Sequence, residues 1–339
     1  MGAIWMPRIG FITSLSELVG YKAGVALDRE QMRTFLESKA PDLFAGPDGA
    51  LLRIRAEEYD QHLVTLLYSV GNIKSPSLMP SLIQIFHRVK GDGRLFKIYQ
   101  EVGEQFPKFI HKAMNETLGK GEKAIDPTPF CEWARAQHGI DGALMALEML
   151  EGLNEDLHKS SFAKIRSVEW KDVAELAELF DSEKLGTLHG EFFDQRFVDF
   201  LSHNFHSIDK VNWRKFEGLT CEFFHRAGLE VEIGKGRNDE SIDARIWKKG
   251  KRGKKPPLIL VQCKRQKDKV EKVVVKALYA DVVHEKAELG LVVTSSALSP
   301  GARKVCSARS YPVVESNRDT LKKWIGAMRT PYSGIFLGE

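Results

Sequence analysis

Residues 241–265 read SIDARIWKKGKRGKKPPLILVQCKR, and this stretch has the pattern of a β-hairpin with polar groups at one end. The apolar run at 258–261 is short and continuous and follows two prolines, which favours a strand buried on both faces over a helix. Because side chains alternate along a strand, Gln262 and Lys264 share one face and Cys263 takes the other. A charged group at the end of a buried strand is costly unless it is paired. Lys264 therefore requires an anion nearby.

The preceding segment, residues 242–247, can supply that anion. If it folds back antiparallel, Asp243 lies opposite Gln262, and Asp243, Gln262 and Lys264 share a face at one end of the sheet. The same register sets Arg245 opposite an apolar residue, which counts mildly against it. From spacing alone, a structural Asp–Lys pair that closes a hairpin is the simpler interpretation, because ion pairs are common at strand ends.

A residue upstream changes this interpretation. Residues 213–228 predict an amphipathic helix that stops at Gly228, and Glu217 lies beside its apolar stripe. The stripe predicted to be buried consists of Trp213, Phe216, Phe223 and Ala227. The chain thus places Glu217 on a helix, then Asp243 at a strand start, then Gln262-Cys263-Lys264 at a strand end. This succession resembles the PD-(D/E)xK nuclease superfamily. It is most similar to the Mrr-like restriction endonuclease domain, in which glutamine replaces the usual glutamate and the strand reads VQCKR.

The resemblance covers about residues 211–328 and nothing upstream. The later elements match in order: a helix at 270–286, a strand at 289–296, a helix opened by Ser299-Pro300-Gly301-Ala302 and a strand at 311–315. One departure is the approach to the aspartate, where the family is glycine-rich and this chain reads GRNDES at 236–241. The resemblance implies an α/β nuclease domain of the restriction-endonuclease type, with a mixed central sheet flanked by helices.

The resemblance also implies the chemistry and the residues that perform it. The expected catalytic residues are Glu217, Asp243, Gln262 and Lys264, acting with Mg²⁺, which Mn²⁺ can replace. Asp243 would be the principal metal ligand together with the backbone carbonyl of Cys263, and Glu217 would bind through water or hold a second ion. Neutral Gln262 weakens this site relative to a carboxylate. Lys264 would orient and help deprotonate the attacking water, or offset charge in the transition state.

Charge is divided unevenly along the chain. From Val211 onward there are 26 Lys and Arg against 15 Asp and Glu, and before it 24 against 31. The nuclease-like part is therefore the basic part, which fits a polyanionic partner. The loop 248–255 joins the two motif strands, and its simplest interpretation is a solvated hairpin tip; contact with DNA phosphates is the functional one. The residues expected to contact DNA are Lys248, Lys249, Lys251, Arg252, Lys254, Lys255, Lys272 and Lys276.

Residues 1–207 predict a mainly α-helical domain, and residues 208–339 the nuclease domain. Helical periodicity is clearest at 57–70, 78–89, 95–118, 129–138, 142–157, 170–180 and 191–205, whereas the opening run at 4–12 fits strand or helix. The family resemblance does not extend to this half. Its expected role is sensing, binding a partner protein or oligomerisation, and we expect a homo-oligomer.

The cysteines form no close pairs and no stretch is long enough to span a bilayer, so we expect a cytoplasmic protein with no membrane partner. The sequence thus predicts a Mg²⁺-dependent endonuclease acting on double-stranded DNA, in restriction or phage defence. Two alternatives stay open. One is a DNA-binding module that kept the fold and lost catalysis, and the other is an assembly protein with the helical half as its oligomer core.

Overall fold

A computed structural model of the chain describes residues 2–120, 125–236 and 242–329, without the side chains of 117–120. The described residues form two compact units. The first contains residues 2–68 and 73–173, and the second contains residues 69–72 and 174–329. The family-like segment predicted from the sequence lies within the second unit. The domain boundary predicted at residue 207 stays a prediction.

The first unit is mainly helical, as predicted. Its elements are β1 (Ala3–Pro7), α1 (Arg8–Ala23), β2 (Val25–Ala26), α2 (Arg29–Leu36), α3 (Pro41–Phe44), β3 (Leu51–Arg55), α4 (Ala56–Ser69), α5 (Ser81–Val89), α6 (Gly93–Lys120) and α7 (Thr128–Lys159). The opening run divides at Pro7 into strand β1 and helix α1. Proline suits that junction, because it has no N–H to give and a helix start needs none.

One hydrophobic core cluster of the first unit lies between α5, α6 and α7. Its buried side chains include Ile85, Val102, Phe106, Phe130, Ala134, Met149 and Leu150. The helices predicted at 129–138 and 142–157 are one helical element, α7, that bends at Gly139, whose φ is +68°. A left-handed backbone is inexpensive for glycine, so the bend interrupts the helix without strain.

The predicted helix at 170–180 is wrong in its first half. Residues Ala174–Glu175 form strand β4, and helix α8 begins only at Ala177 and runs to Asp181. Trp170 is buried in the first unit, where its indole N–H donates to the carbonyl of Lys22 at 3.2 Å. A partner distant in sequence therefore determines the position of Trp170, and local periodicity does not report such a contact.

The second unit is built on a five-stranded mixed sheet. Its further elements are α9 (Gln195–His203), a 3-10 helix (Phe205–Lys210), α10 (Trp213–Arg226), β5 (Glu230–Ile233), β6 (Ala244–Trp247), β7 (Ile259–Lys264), α11 (Lys272–Glu285), β8 (Leu289–Thr294), α12 (Pro300–Ala308), β9 (Val313–Ser316) and α13 (Arg318–Met328). The strand order is β5-β6-β7-β8-β9, antiparallel up to β7 and parallel from β7 to β9. The predicted fold class is confirmed: a helical first half, then a mixed sheet with helices of the restriction-endonuclease type.

The predicted hairpin register is confirmed. Strand β6 pairs antiparallel with β7 with Arg245 opposite Leu260, and the same register continued by two residues sets Asp243 opposite Gln262. Helix α11 resolves the apparent conflict at Arg245, because the Arg245 guanidinium forms an ion pair with Glu285 of that helix at 2.6 Å. A charged side chain on this strand is therefore paired rather than buried alone.

Helix α10 begins where predicted, but its buried face is different. Asn212 caps it by accepting a hydrogen bond from the N–H of Arg214 at 2.8 Å. The fully buried positions include Phe216, Leu219, Thr220, Cys221 and Phe224. Of the predicted stripe, Phe216 is buried, Trp213 and Phe223 are half-buried, and Ala227 is exposed because the helix ends at Arg226. The buried face of α10 is therefore rotated about the helix axis relative to the predicted one, and it includes Glu217.

Gly71 makes the tightest backbone approach in the second unit, and we expect Gly71→Ala to destabilise the protein by about 3 kcal/mol or more. Its φ is +79°, and a Cβ built there would lie 2.0 Å from the carbonyl oxygen of Asp199. The matched control is Gly228→Ala, which shares the positive φ but meets nothing within 4 Å. It should cost only about 1–2 kcal/mol of left-handed strain. Urea unfolding midpoints measure both, and equal costs would contradict the close approach.

Candidate functional site

The centre of the site is a pair of carboxyl groups held by α10 and the start of β6. Glu217 is 5% exposed, and its carboxyl group shares a hydrogen bond with that of Asp243. Burial raises the pKa of Glu217 to about 8, the negative charge of Asp243 adds to this, and a hydrogen bond from Arg214 opposes it. Two acidic groups that share one proton in a partly buried place are suited to hold a cation instead.

The end of β7 closes around Asp243. The backbone N–H of Asp243 donates to the carbonyl of Val261 at 2.9 Å, and the N–H of Cys263 donates to Oδ2 of Asp243 at 2.5 Å. Since the N–H and C=O of one strand residue project to the same side, the Cys263 carbonyl also points toward Asp243. The Cys263 thiol contacts the hydroxyl of Thr220 on α10 at 3.6 Å.

Gln262 and Lys264 flank Cys263 on the other face of β7. Gln262 is 4% exposed, and in the described part of the chain its Oε1 atom has no hydrogen-bond partner. A buried oxygen of this kind normally has a partner, so this atom is a candidate ligand atom beside Asp243. Lys264 is half-buried, its backbone carbonyl accepts from the hydroxyl of Thr294 at 2.8 Å, and its ammonium makes no ion pair within the described residues.

Arg214 belongs to the site and was not predicted from the sequence. Its Nη1 donates to Oε2 of Glu217 at 2.7 Å, and its Nη2 donates to the carbonyl of Gly234 at 2.7 Å. The N–H of Gly234 in turn donates to the carbonyl of Asp243 at 2.8 Å. The guanidinium therefore joins the two segments that carry the acidic pair. Its only sequence signal is the (i, i+3) spacing to Glu217, which is too common to identify it.

The structure separates the residues predicted to contact DNA into two places. The loop 248–255 lies at the far end of the hairpin from Asp243, roughly 16 Å away at 3.3 Å per residue. There Glu230 accepts from the N–H groups of Gly250 and Arg252, and Arg252 is ion-paired with Glu232 at 2.7 Å. The loop lysines are exposed. These contacts anchor the loop to β5, whereas a solvated hairpin tip would make no such contacts.

Lys272 and Lys276 lie at the same edge of the sheet as Lys264. Helix α11 begins at Lys272, just after Val270, which pairs with Leu298 beyond the end of β8. Both lysines are exposed. The carboxyl ends of parallel strands are where α/β sheets bind ligands. The segment 236–241, which departs from the family pattern, lies outside the described residues except for Gly236.

The side chains present fit a hard divalent cation. The oxygen donors are the carboxylate of Asp243, the carbonyl of Cys263 and the unpartnered Oε1 of Gln262, with Glu217 alongside. No group of three or more His, Cys, Asp or Glu is arranged for a metal in the described ranges. That result is compatible with this donor set, since two of its oxygens come from an amide and a backbone carbonyl.

Among the described residues, no helix is both long and apolar enough to cross a membrane.

Comparison with known proteins agrees with the geometry. The family model of the Mrr catalytic domain, described as restriction endonuclease, matches residues 208–325. No curated protein matches the chain. Among solved structures, the MspJI restriction endonuclease in complex with a 27-mer oligonucleotide matches at 15% identity and a TM-score of 0.31, covering 52% of this chain and 38% of that one. The chain thus spans less than two fifths of the MspJI chain, and so distant a likeness does not bear on the site. The predicted resemblance is confirmed, as is its place in the C-terminal part.

Proposed function

We propose that this chain, whose residues 208–325 form a restriction endonuclease domain of the Mrr type, is a metal-dependent endonuclease that hydrolyses phosphodiester bonds of double-stranded DNA. The nuclease class follows from the domain, and the proposal concerns the metal and the duplex. The observation that supports it best is the convergence of Glu217, Asp243 and the Cys263 backbone beside the unpartnered Oε1 of Gln262. Mg²⁺, or Mn²⁺ in its place, would polarise the phosphate and lower the pKa of the attacking water.

Each residue has a role that its position supports. Asp243 and the Cys263 carbonyl would hold the cation, and Gln262 would complete the set of oxygen ligands. Glu217 would bind through water or hold a second ion, while Arg214 fixes the Glu217 carboxylate at 2.7 Å. The side-chain nitrogen of Lys264 makes no ion pair in the described ranges, and it orients the attacking water. As the neutral amine it would take the proton of that water, and as the ammonium it would offset charge on the non-bridging oxygens.

We expect Gln262→Glu to strengthen Mg²⁺ binding about tenfold, because a carboxylate replaces an amide oxygen of the same reach. Gln262 Oε1 has no partner among the described residues, so the substitution breaks no hydrogen bond of that atom. Calorimetric titration with Mg²⁺ measures the change. Gln266→Glu is the control, because it makes the same change of charge two residues beyond the end of β7; it also removes the bond that the Gln266 amide N–H donates to the carbonyl of Asp268. Unchanged affinity in Gln262→Glu would exclude this side chain as a ligand.

The basic residues are proposed to contact the phosphates of the duplex. We expect Lys272→Ala with Lys276→Ala to reduce the salt dependence of duplex binding by up to about 1.8 in log–log slope, because each lost phosphate contact removes about 0.9. The hairpin-tip pair Lys248→Ala with Lys249→Ala tests the other surface in the same way. The control pair is Lys322→Ala with Lys323→Ala, exposed on α13. Fluorescence anisotropy in EDTA gives the slopes. Equal slopes in all three double variants would contradict contact of the DNA with α11 or with the hairpin tip.

Double-strand cleavage also favours a homo-oligomer, because one such site faces one strand at a time. Helix α7 exposes Ile140, Leu144 and Leu147 at one helical stripe, and this is the face that a second copy would cover. The biological setting that we propose is restriction or phage defence in the cytoplasm, with the first unit binding a signal or a partner protein.

The test is cleavage of supercoiled plasmid and of phage DNA, with modified and unmodified substrates compared. The proposal predicts nicking or linearisation with Mg²⁺ or Mn²⁺, none with EDTA, and none by Lys264→Ala. Salt-sensitive DNA binding without cleavage under any of these conditions would instead indicate a binding module that has lost catalysis.

A further inference from the structure

The two-stranded sheet of the first unit presents an exposed face built around Trp5. Strand β1 pairs antiparallel with β3, with Trp5 opposite Arg53 and Ala3 opposite Arg55. Trp5 is 64% exposed, and the Arg53 guanidinium lies over its ring at 5.9 Å from the centroid. We call Trp5, Arg53 and Arg55 the Trp5 face. Tryptophan is enriched at binding interfaces, because its ring buries a large apolar area while its N–H can donate a hydrogen bond.

The two arginines of the Trp5 face are available to an anion. Both are exposed, and within the described residues neither guanidinium makes an ion pair or a hydrogen bond. They are two residues apart on one strand, so their side chains project from the same face about 7 Å apart. The opposite face of the pair is turned inward, since Ile54 is buried. The face therefore carries two positive charges and one aromatic ring. Neither strand contains an acidic residue, and Glu58, which follows β3, accepts a hydrogen bond from the backbone N–H of Arg55 at 3.0 Å.

We propose that the Trp5 face binds unpaired nucleotides of a nucleic-acid strand. A base stacks on the indole, and the two guanidinium groups contact successive phosphates of the same strand. The proposal rests on the proposed function in one respect, namely that the substrate of the chain is nucleic acid. It adds a second, separate contact that lies in the first unit.

The chemistry of the face favours this occupant over others. A duplex keeps its bases stacked and would engage the arginines but leave the indole unused. A protein partner would have to supply acidic groups opposite both arginines and an apolar one opposite the ring. An unpaired strand has a phosphate for each base and a flat ring between them, so it satisfies all three side chains at once.

The test is fluorescence anisotropy of the full chain in EDTA with a labelled 12-nucleotide oligo(dT) and with a labelled 12-base-pair duplex. We expect Trp5→Ala to weaken oligo(dT) binding about tenfold and Trp5→Phe to retain most of the affinity, because phenylalanine still offers a ring. Arg53→Ala with Arg55→Ala should lower the salt slope for oligo(dT) by about 1.4. The charge-matched control, Arg135→Ala with Lys171→Ala, removes two exposed cations elsewhere in this unit and should change neither.

Two outcomes would overturn the proposal. One is equal oligo(dT) binding by the parent and Trp5→Ala, and the other is an equal loss for oligo(dT) and duplex. Because the assay contains no metal, it does not depend on cleavage. A failure of the nuclease proposal would appear instead in the plasmid assay. Trp5→Ala does not alter the residues of the proposed metal site, so the two assays test the two proposals separately.

Discussion

Asp243→Asn should lower the rate of DNA cleavage at least about a thousandfold. Asparagine keeps an oxygen that can accept the hydrogen bond from the N–H of Cys263, so the strand end is preserved. The negative charge that holds the cation is lost, and the electrostatic stabilisation that a metal supplies to a phosphoryl transition state amounts to several kcal/mol. At 1.36 kcal/mol for each factor of ten, about 4 kcal/mol corresponds to that loss. Single-turnover cleavage of supercoiled plasmid measures it.

The control for Asp243→Asn is Asp268→Asn, which makes the same change of charge at an exposed position close to the motif strand. It should cut at the rate of the parent. Thermal melting in EDTA separates a chemical effect from unfolding, because both variants should melt at or above the temperature of the parent. A rate within tenfold of the parent for folded Asp243→Asn would remove Asp243 from the site.

The stability gained from Mg²⁺ should grow as the pH rises from 6 to 8. In the metal-free protein, burial and the charge of Asp243 raise the pKa of Glu217 from 4.5 to about 8. The folded state then holds a proton that the unfolded state releases. The stability from this group is therefore full below pH 4.5 and is lost as the pH rises toward 8, by roughly 2–4 kcal/mol. A bound cation takes the place of the shared proton, so the melting-temperature difference between Mg²⁺ and EDTA should be about 5 °C larger at pH 8 than at pH 6.

Two variants identify the group responsible for that pH dependence. Glu217→Gln should be more stable than the parent at pH 8 in EDTA and should lose the pH dependence. Glu288→Gln, an exposed glutamate of the same unit, should behave as the parent. If the gain from Mg²⁺ were the same at both pH values, or if Glu217→Gln kept the slope, the carboxyl pair would not be the metal site.

The register of the hairpin could be predicted, although Arg245 opposite an apolar residue counted mildly against it. A continuous apolar strand ending in Gln262 and Lys264 has one pairing that brings Asp243 to them, and the structure has that pairing. The helix that bears Glu217 was likewise marked, by its apolar stripe and by the stop at Gly228. Its buried face was only half predicted, because Trp213 and Phe223 pack at its margin and the helix ends before Ala227.

Other features depend on contacts that are distant in sequence. Arg214 reaches both Glu217 and the carbonyl of Gly234, and no local pattern marks that second contact. The buried place of Trp170 depends on the carbonyl of Lys22. The exposure of Trp5 depends on which face of β1 turns inward against the first unit, and a five-residue strand with apolar residues on both faces does not decide this.

The most direct measurement is the anomalous difference density of a crystal soaked in Mn²⁺ at a concentration that supports cleavage. The expected result is a peak roughly 2.1 Å from a carboxylate oxygen of Asp243, with the Cys263 carbonyl and Oε1 of Gln262 as further ligands. A crystal that shows no peak beside Asp243, or one whose metal is bound elsewhere in the chain, would contradict the proposed metal site.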